Sequence, residues 1–466
     1  MINEAEDKMG TTQSFASFSA ETSFESLPPE VVTKIKHFVL ETAASQLLGS
    51  SCRLGKTFGS QLADGIEEAR LVGRHERASV RNAALYNTAI ADTNDSGGGS
   101  SFAVVHHSKN VVPVGLTLSG ARRQSGKTLI TAIGVSAECY IRLDRAIAGA
   151  HIARGHYNDG TIGTVGATIT AAKLLGLDSE HIETAIGTGA MLAPVTIGGN
   201  SMFRSSARPL TMGLASANGI LAATMTEAGV DGPRSILESK GGFADALAGS
   251  TLSDEVVSSL GGEWLLLNNY FKPFIGCRLT HVPRQGAIEL REKRNLKPDS
   301  IDSVECTLPA ANFIVMGHDV EPGANIVEHS CSTTYLLANA LLYGDNGPSV
   351  LSEERMNERR VHDFSKRIKL FPDNQQDATF KQEGSYSPWM GRMRVHLTSG
   401  EALDYSCDFM RGDPVKWPVT EDELINKFYD YSTDVVKKDR ADQVVESVLR
   451  LQKLGNCDDL MRLLAL

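Results

Sequence analysis

The sequence contains no run of eighteen apolar residues, no basic-then-apolar stretch near its start and no excess of positive charge. The first two absences point to a soluble protein with no membrane partner. The third, with 56 acidic against 46 basic residues and a formal charge of −10, removes the basic face that a nucleic-acid partner requires. A substrate anion is still compatible with this balance, because a few local Lys and Arg side chains decide the charge of a pocket. Aromatics make up only 6% of the chain against 43 glycines, which suits close-packed helices better than a β sandwich. Seven cysteines (Cys52, Cys139, Cys277, Cys306, Cys331, Cys407 and Cys457) stand without CxxC spacing. Neither a zinc site nor a disulfide framework is indicated, and a reducing cytoplasm is the simplest home.

What is present is helical periodicity. Apolar residues from Val32 to Leu47 follow one helix face behind Pro28 and Pro29, and further helices are expected over 57–69, 79–93, 112–119, 126–149, 161–175, 179–191 and 209–228. After Phe271 the texture changes. Ser303–Leu308 alternates like a strand, 393–397 and 402–409 read as a hairpin, and helices fall at 332–342 and 352–362. Segments 420–431 and 439–453 are amphipathic helices that return to the first unit. The fold class is therefore mainly α, with a large all-helical domain and a smaller α+β domain. The expected division is a loose tail over 1–25, a helical domain over 26–268, an α+β domain over 269–410 and returning C-terminal helices over 411–466.

The most informative segment is Gly155 to Asp178, GHYNDGTIGTVGATITAAKLLGLD. It sets His156, Tyr157, Asn158 and Asp159 at the start of a small-residue helix, where unpaired backbone N–H groups and a partial positive charge favour an anion. Its glycine spacing is neither a dinucleotide nor a phosphate-loop pattern. Three further blocks stand beside it: HHSKNVVP from His106, RPLTMGLASANGILAATMTEAGVDGP from Arg208, and KPFIGCRLTH from Lys272.

Together, taken in chain order from His106 through Gly155 and Arg208 to Lys272, these blocks resemble the MmgE/PrpD family over roughly residues 25 to 460. The family shows H-P-S-x-x-V-x-P, then G-[FW]-H before an Ala-rich helix ending KLLGL, then K-P-L-H-x-G-x-A-A-x-x-G and K-x-[FY]-x-x-[CH]-x-x-x-H. The resemblance implies a helical domain interrupted by an α/β lid, an active site in the cleft between them, no cofactor, and a homodimer. It also implies removal of a proton next to a carboxylate, followed by loss of hydroxide or carbon dioxide or by return of the proton.

Residue by residue, His106 matches the family's acid/base His, and Lys272 its Lys at the lid edge, a catalytic or carboxylate-holding ammonium. Arg208 stands where the family has Lys, keeping the charge and a two-pronged grip on a carboxylate. Asp95 aligns with the first Asp of H-A-x-D-x-D-D, yet Asp92 replaces that motif's His, and Gly97 and Gly98 replace its two later acids. Ungapped counting from Gly163 puts Tyr157 at the usual catalytic His, whereas a one-residue shift puts His156 there. Cys277 and His281 match the remaining positions, with a structural thiol and a capping or orienting imidazole as the plainer readings. No HExxH-type metal spacing occurs.

The expected function is a cofactor-independent lyase on a small di- or tricarboxylate, most simply dehydration of a 2-alkylcitrate-type acid. In it His106 moves the proton, Tyr157 or His156 assists the leaving group, and Arg208 with Lys272 holds carboxylates. Decarboxylation of a cis-aconitate-type acid and epimerisation are the close alternatives. A noncatalytic binding protein on the same fold is the alternative of another class.

Overall fold

The computed structural model describes residues 9–101, 103, 105–194, 198–374 and 391–466. Its first part is a succession of helices: α1 (Thr11–Glu21), α2 (Pro29–Ser51), α3 (Arg53–Leu62), α4 (Val80–Asp92), α5 (Ser108–Ala121), α6 (Gly126–Ala153), α7 (Asn158–Leu174), α8 (Ser179–Leu192) and α9 (Arg208–Glu227). Local chemistry sets several starts. Pro29 occupies the first turn of α2, where its missing N–H has no partner to lose. Asp178 caps α8 by accepting the His181 amide at 2.9 Å.

The centre of this part is α7, buried on nearly all sides. Small residues make that possible. A Cβ at Gly219 of α9 would lie 2.5 Å from the Ala167 Cβ, so the two helices touch backbone to backbone. The hydroxyls of Thr164, Thr168 and Thr170 donate to the carbonyls four residues earlier at 2.8–2.9 Å, which satisfies polar groups that have no water.

Two expectations fail here. Thr11–Glu21 is a helix, where the sequence reads as a loose tail. Phe15 and Ala16 are fully buried, and the Glu238 carboxylate accepts from the Thr12 amide at 3.1 Å, so tertiary contacts order a stretch of weak periodicity. The helix expected over 57–69 ends at Leu62, and β1 (Ala69–Arg70) pairs instead with β2 (Arg77–Ala78).

Beyond the short α10 (Phe243–Ala248), β3 (Gly99–Ser100) pairs with β4 (Asn269–Tyr270) and ties the loop after α4 to the chain leaving the helical part. A four-stranded sheet follows in the order β6-β5-β7-β8, from β5 (Ile301–Pro309), β6 (Ile368–Asp373), β7 (Gly391–Leu397) and β8 (Ala402–Cys407). β5 and β6 run parallel, which requires the helical crossover α12 (Ala310–Met316) to α16 (Arg359–Ser365) by way of α13 (Ile326–Ser330), α14 (Thr333–Tyr343) and α15 (Glu353–Met356). The β7–β8 hairpin turns at Gly400, whose φ of 90° suits glycine. One face of this sheet rests on α11 (His281–Arg294). The chain then returns through α17 (Glu421–Ser432), opened by a reciprocal Thr420/Glu423 cap, α18 (Lys438–Leu449) and α19 (Cys457–Leu464), which pack on α2 and α5.

Candidate active site

Helix ends converge at one place. α4 delivers Asp92 in its last turn and Asp95 just beyond, with Asp95 in the left-handed region at φ 48°, a conformation Asp tolerates better than most residues. The start of α5 brings His106, His107 and Lys109; the start of α7 brings Tyr157 and Asp159; the start of α9 brings Arg208. Lys272 and Cys277 enter on the segment after β4, and Cys331 precedes α14.

Asp95 is the hub. Its Oδ1 accepts from Lys272 Nζ at 2.8 Å and from Lys109 Nζ at 3.1 Å, while its Oδ2 lies 3.7 Å from Arg208 Nη1. Lys272 Nζ donates also to the Asp95 carbonyl at 2.7 Å. Asp92 forms the second bridge, with Oδ1 2.8 Å from Lys109 Nζ and Oδ2 3.0 Å from Arg208 Nε, and its carbonyl accepts from Arg208 Nη2 at 3.2 Å. All five side chains are buried. Burial alone would raise the Asp95 carboxyl, but Lys272, Lys109 and Arg208 outweigh it and hold it well below the ordinary carboxylate range. Asp92 and Asp95 thus sit among Lys109, Arg208 and Lys272, with the Asp159 carboxyl near enough to feel Lys109.

His106 stands at the margin of this cluster, near enough to add to the field at Asp95, and is 24% exposed. Its Nδ1 lies 2.9 Å from Asp159 Oδ2, and its amide donates to Asp159 Oδ1 at the same distance. Burial opposes ionisation of Asp159, but His106, through its charge and both hydrogen bonds, keeps the Asp159 carboxyl below its usual value. An ionised carboxylate only accepts, so Nδ1–H donates to Asp159, and Nε2 is the ring nitrogen Asp159 leaves unengaged. Tyr140 also donates to Asp159 Oδ1 at 3.0 Å. The anion at the start of α7 is thus the chain's own Asp159, which sequence reasoning left unassigned.

The structure separates the two candidates before α7. Tyr157 is partly exposed and lies in the field of Asp159, Asp92 and Arg208. Burial first and these acids next push its phenol well above the ordinary value, so it stays protonated. His156 turns the other way and packs on His151, with ring centroids 5.1 Å apart. His281 begins α11 as expected, but it is buried against Phe274, and its Nε2 faces the Gly276 carbonyl at 3.4 Å. Burial, with Arg284 and Lys272 nearby, holds it neutral well below its usual pKa.

Cys277 is buried in a small apolar group with Met316 and Cys331. Cys331 was not singled out from sequence. Its Sγ lies 3.3 Å from Arg208 Nη1, and hydrogen bonding from Cys277 followed by the Arg208 charge lowers its thiol pKa, while the same sulfur pair and burial raise that of Cys277.

The Gly-Ser stretch after Asp95, residues 96–100, is buried. A Cβ at Gly97 would lie 2.7 Å from the Lys109 Cε, and one at Gly98 would lie 2.1 Å from the Tyr270 carbonyl. The glycines make room for the Lys109 stem and for the β3–β4 contact. Sequence reasoning missed Lys109. The signal available was Asp92 itself, a buried acid needing a partner, with a lysine one turn beyond His106. It also missed Glu41, whose Oε1 accepts from Lys427 Nζ at 2.7 Å and whose Oε2 accepts from the Gly98 amide at 2.7 Å. Lys427 Nζ reaches the carbonyls of Ser96 and Lys272 as well, at 2.8 and 3.0 Å.

A cleft of about 1570 Å³ opens beside the α2–α3 corner and the α13–α15 region. Asn94 and Ser206 line it, but His106, Arg208 and Lys272 do not. Within the cluster, His106 and Tyr157 are the partly exposed members. Among the described residues, no group of three or more His, Cys, Asp or Glu side chains could hold a metal ion, and no helix is long and apolar enough to cross a membrane.

Family models match most of the chain: the MmgE/PrpD N-terminal domain over residues 13–254 and the MmgE/PrpD C-terminal domain over residues 274–451. Among relatives, the chain is 22% identical to a cis-aconitate decarboxylase-like protein of Aspergillus oryzae, covering 100% of this chain and 99% of that one. It is 24% identical to the cis-aconitate decarboxylase of Mus musculus, over 97% of this chain and 93% of the relative. With that of Homo sapiens it is again 24% identical, over 97% and 94%.

Proposed function

Because the chain belongs to the MmgE/PrpD family, whose function here is that of a lyase at family level, we propose that it eliminates a group from a small di- or tricarboxylate without a cofactor, with His106 as the proton-transfer residue. The observation that carries this is the His106–Asp159 contact of 2.9 Å at the edge of a cationic cluster. Asp159 fixes the tautomer and supports the imidazolium that forms when Nε2 takes a proton from the carbon next to a carboxylate. The cationic side chains around Asp95 stabilise the enolate-like charge that develops. Tyr157, kept protonated, donates to the departing hydroxyl, so that the electron pair of the broken C–H bond becomes the new double bond as water leaves. An acid and a base in one place suit dehydration. The relatives' names favour a second reading, decarboxylation, in which carbon dioxide leaves and the same groups deliver a proton to carbon.

A cytoplasmic homodimer is part of the proposal. Leu210, Leu214 and Met225 on one face of α9, with Met191 nearby in the chain on α8, are exposed apolar side chains that a second copy would cover. Sizing chromatography checks this. The reaction is tested by incubating the protein with a panel of hydroxy and unsaturated carboxylic acids in deuterated water. Loss of water or of carbon dioxide distinguishes the two readings. Deuterium uptake alone indicates epimerisation, and no exchange on any acid indicates a noncatalytic binding protein.

A further inference from the structure

The glycines of α7 do more than let helices pack. A Cβ at Gly163 would lie 3.1 Å from the Tyr140 hydroxyl oxygen, and one at Gly166 would lie 2.8 Å from the Tyr140 Cδ1, so both positions clear space on α7 for the Tyr140 ring of α6. That ring is fully buried. A buried hydroxyl is costly unless bonded, and this one has two acceptors in reach, Asp159 Oδ1 at 3.0 Å and Asn110 Oδ1 at 3.5 Å. With one proton to give, it gives it to the nearer, ionised oxygen. Burial first, then Asp159 and Asp144, hold the phenol well above its ordinary pKa, so it keeps that proton. Asp159 therefore receives three hydrogen bonds. Oδ1 takes the Tyr140 hydroxyl and the His106 amide, at 3.0 and 2.9 Å, and Oδ2 takes His106 Nδ1 at 2.9 Å. Held at Oδ1 from two directions, the carboxylate keeps Oδ2 toward the ring, and the charge it shares with the phenol is not available to hold the imidazole proton.

We propose that Tyr140 is a positioning residue for proton transfer at His106, acting through Asp159: it fixes the carboxylate in the orientation that aims the imidazole, and it draws off part of the carboxylate charge, so that His106 gives up its proton more readily than the pair with Asp159 alone would allow. The inference rests on the reading of His106 as the proton-transfer residue and adds a buried member that tunes it. The glycine spacing of α7, which matches no nucleotide motif, then has a purpose at the site, since a larger side chain at 163 or 166 pushes the phenol off Asp159. Other groups face this trio. Asp95 beyond α4 feels His106; Lys109 and His107 near the start of α5 and Tyr157 before α7 interact with Asp159; Asp144 of α6 faces Tyr140. All of them stay in place in a Tyr140 variant.

The test needs no substrate. Diethyl pyrocarbonate acylates the unprotonated nitrogen of an accessible imidazole, and the His106 side chain is 24% exposed. Its rate of modification against pH, followed residue by residue by mass spectrometry on the whole protein, therefore reports the state of Nε2. Tyr140→Phe, which removes one hydroxyl and keeps the ring, should move the half-maximal pH for His106 upward by about 0.5–1 unit, because Asp159 then holds the imidazole proton more tightly. His181, held by Asp178 at the surface, should stay where it was. Gly166→Ala, which displaces the ring and keeps the hydroxyl, should give the same upward move and serves if the Phe variant does not fold. An unchanged or lowered half-point for His106 in either folded variant overturns the proposal. Failure of both variants to fold overturns it as well, since the contact is then structural. Because no substrate enters, the result stands apart from the deuterium test of whether His106 moves a proton at all.

Discussion

Replacing Asp95 by Asn should destabilise the protein by about 3–5 kcal/mol, the range for breaking a buried ion pair by removing one partner. The structure places the cost toward the lower end. Lys272 keeps its 2.7 Å bond to the residue-95 carbonyl and Lys109 keeps its 2.8 Å bond to Asp92, so neither ammonium is left bare. What rises is the cluster's net charge, by one positive unit. Lys109→Met alone should cost a similar amount, because it leaves Asp92 and Asp95 to share Arg208 and Lys272. Combining the two variants cancels that change. The double variant should therefore be about 2 kcal/mol more stable than the sum of the singles implies, within the usual range for contacting residues. Denaturant titration of the four proteins, compared at equal slope, reads this directly. Additivity within about 0.5 kcal/mol would refute the reasoning, since it would mean that the five buried charges do not act as one network.

Asp159→Asn should slow deuterium exchange about 10²–10⁴-fold, as loss of a positioned acid/base does, and His106→Ala should abolish it with the fold intact; undiminished exchange in either variant removes the mechanism. Arg208→Ala leaves the buried Asp92 without its guanidinium partner and should chiefly lower Tm, which thermal denaturation would show. Burial holds His107, His151 and His329 at a pKa of about 4, below the ordinary 6.5. The unfolded chain therefore binds protons first, and stability present above pH 6.5 should fall progressively toward pH 4, by up to about 3 kcal/mol for His107. The lowered carboxyls of Asp95 and Asp159 act only at still lower pH, so a stability profile flat between pH 7 and 5 would contradict the burial argument. Gly219→Ala should cost about 1–3 kcal/mol through overpacking against Ala167, measurable as a lowered Tm.

The sequence showed what is local. Helices α4 to α9 and the β7–β8 hairpin lie within a few residues of where periodicity, caps and turn residues put them, because those signals act over a few turns of chain. It failed where distant segments decide. β6 is not legible as a strand, since it exists by parallel pairing with β5 more than sixty residues away. The convergence of His106, Arg208 and Lys272 around Asp95 was foreseeable as a resemblance, but its stoichiometry was not. Lys109 and Glu41 look like ordinary helix residues until burial removes their water. The Gly97–Gly98 stretch reads as a flexible linker by composition, and only the close approach of Tyr270 and Lys109 explains why nothing larger fits there.

Lys427 carries an implication for biogenesis. Three carbonyl and carboxylate groups at residues 41, 96 and 272 wait for an ammonium that lies 386 residues after Glu41. A ribosome must therefore reach Lys427 before this group of contacts can close. Until then, Glu41 is a buried anion lacking its counter-ion, and the early helices assemble around an unfinished seam that a chaperone or protease can recognise.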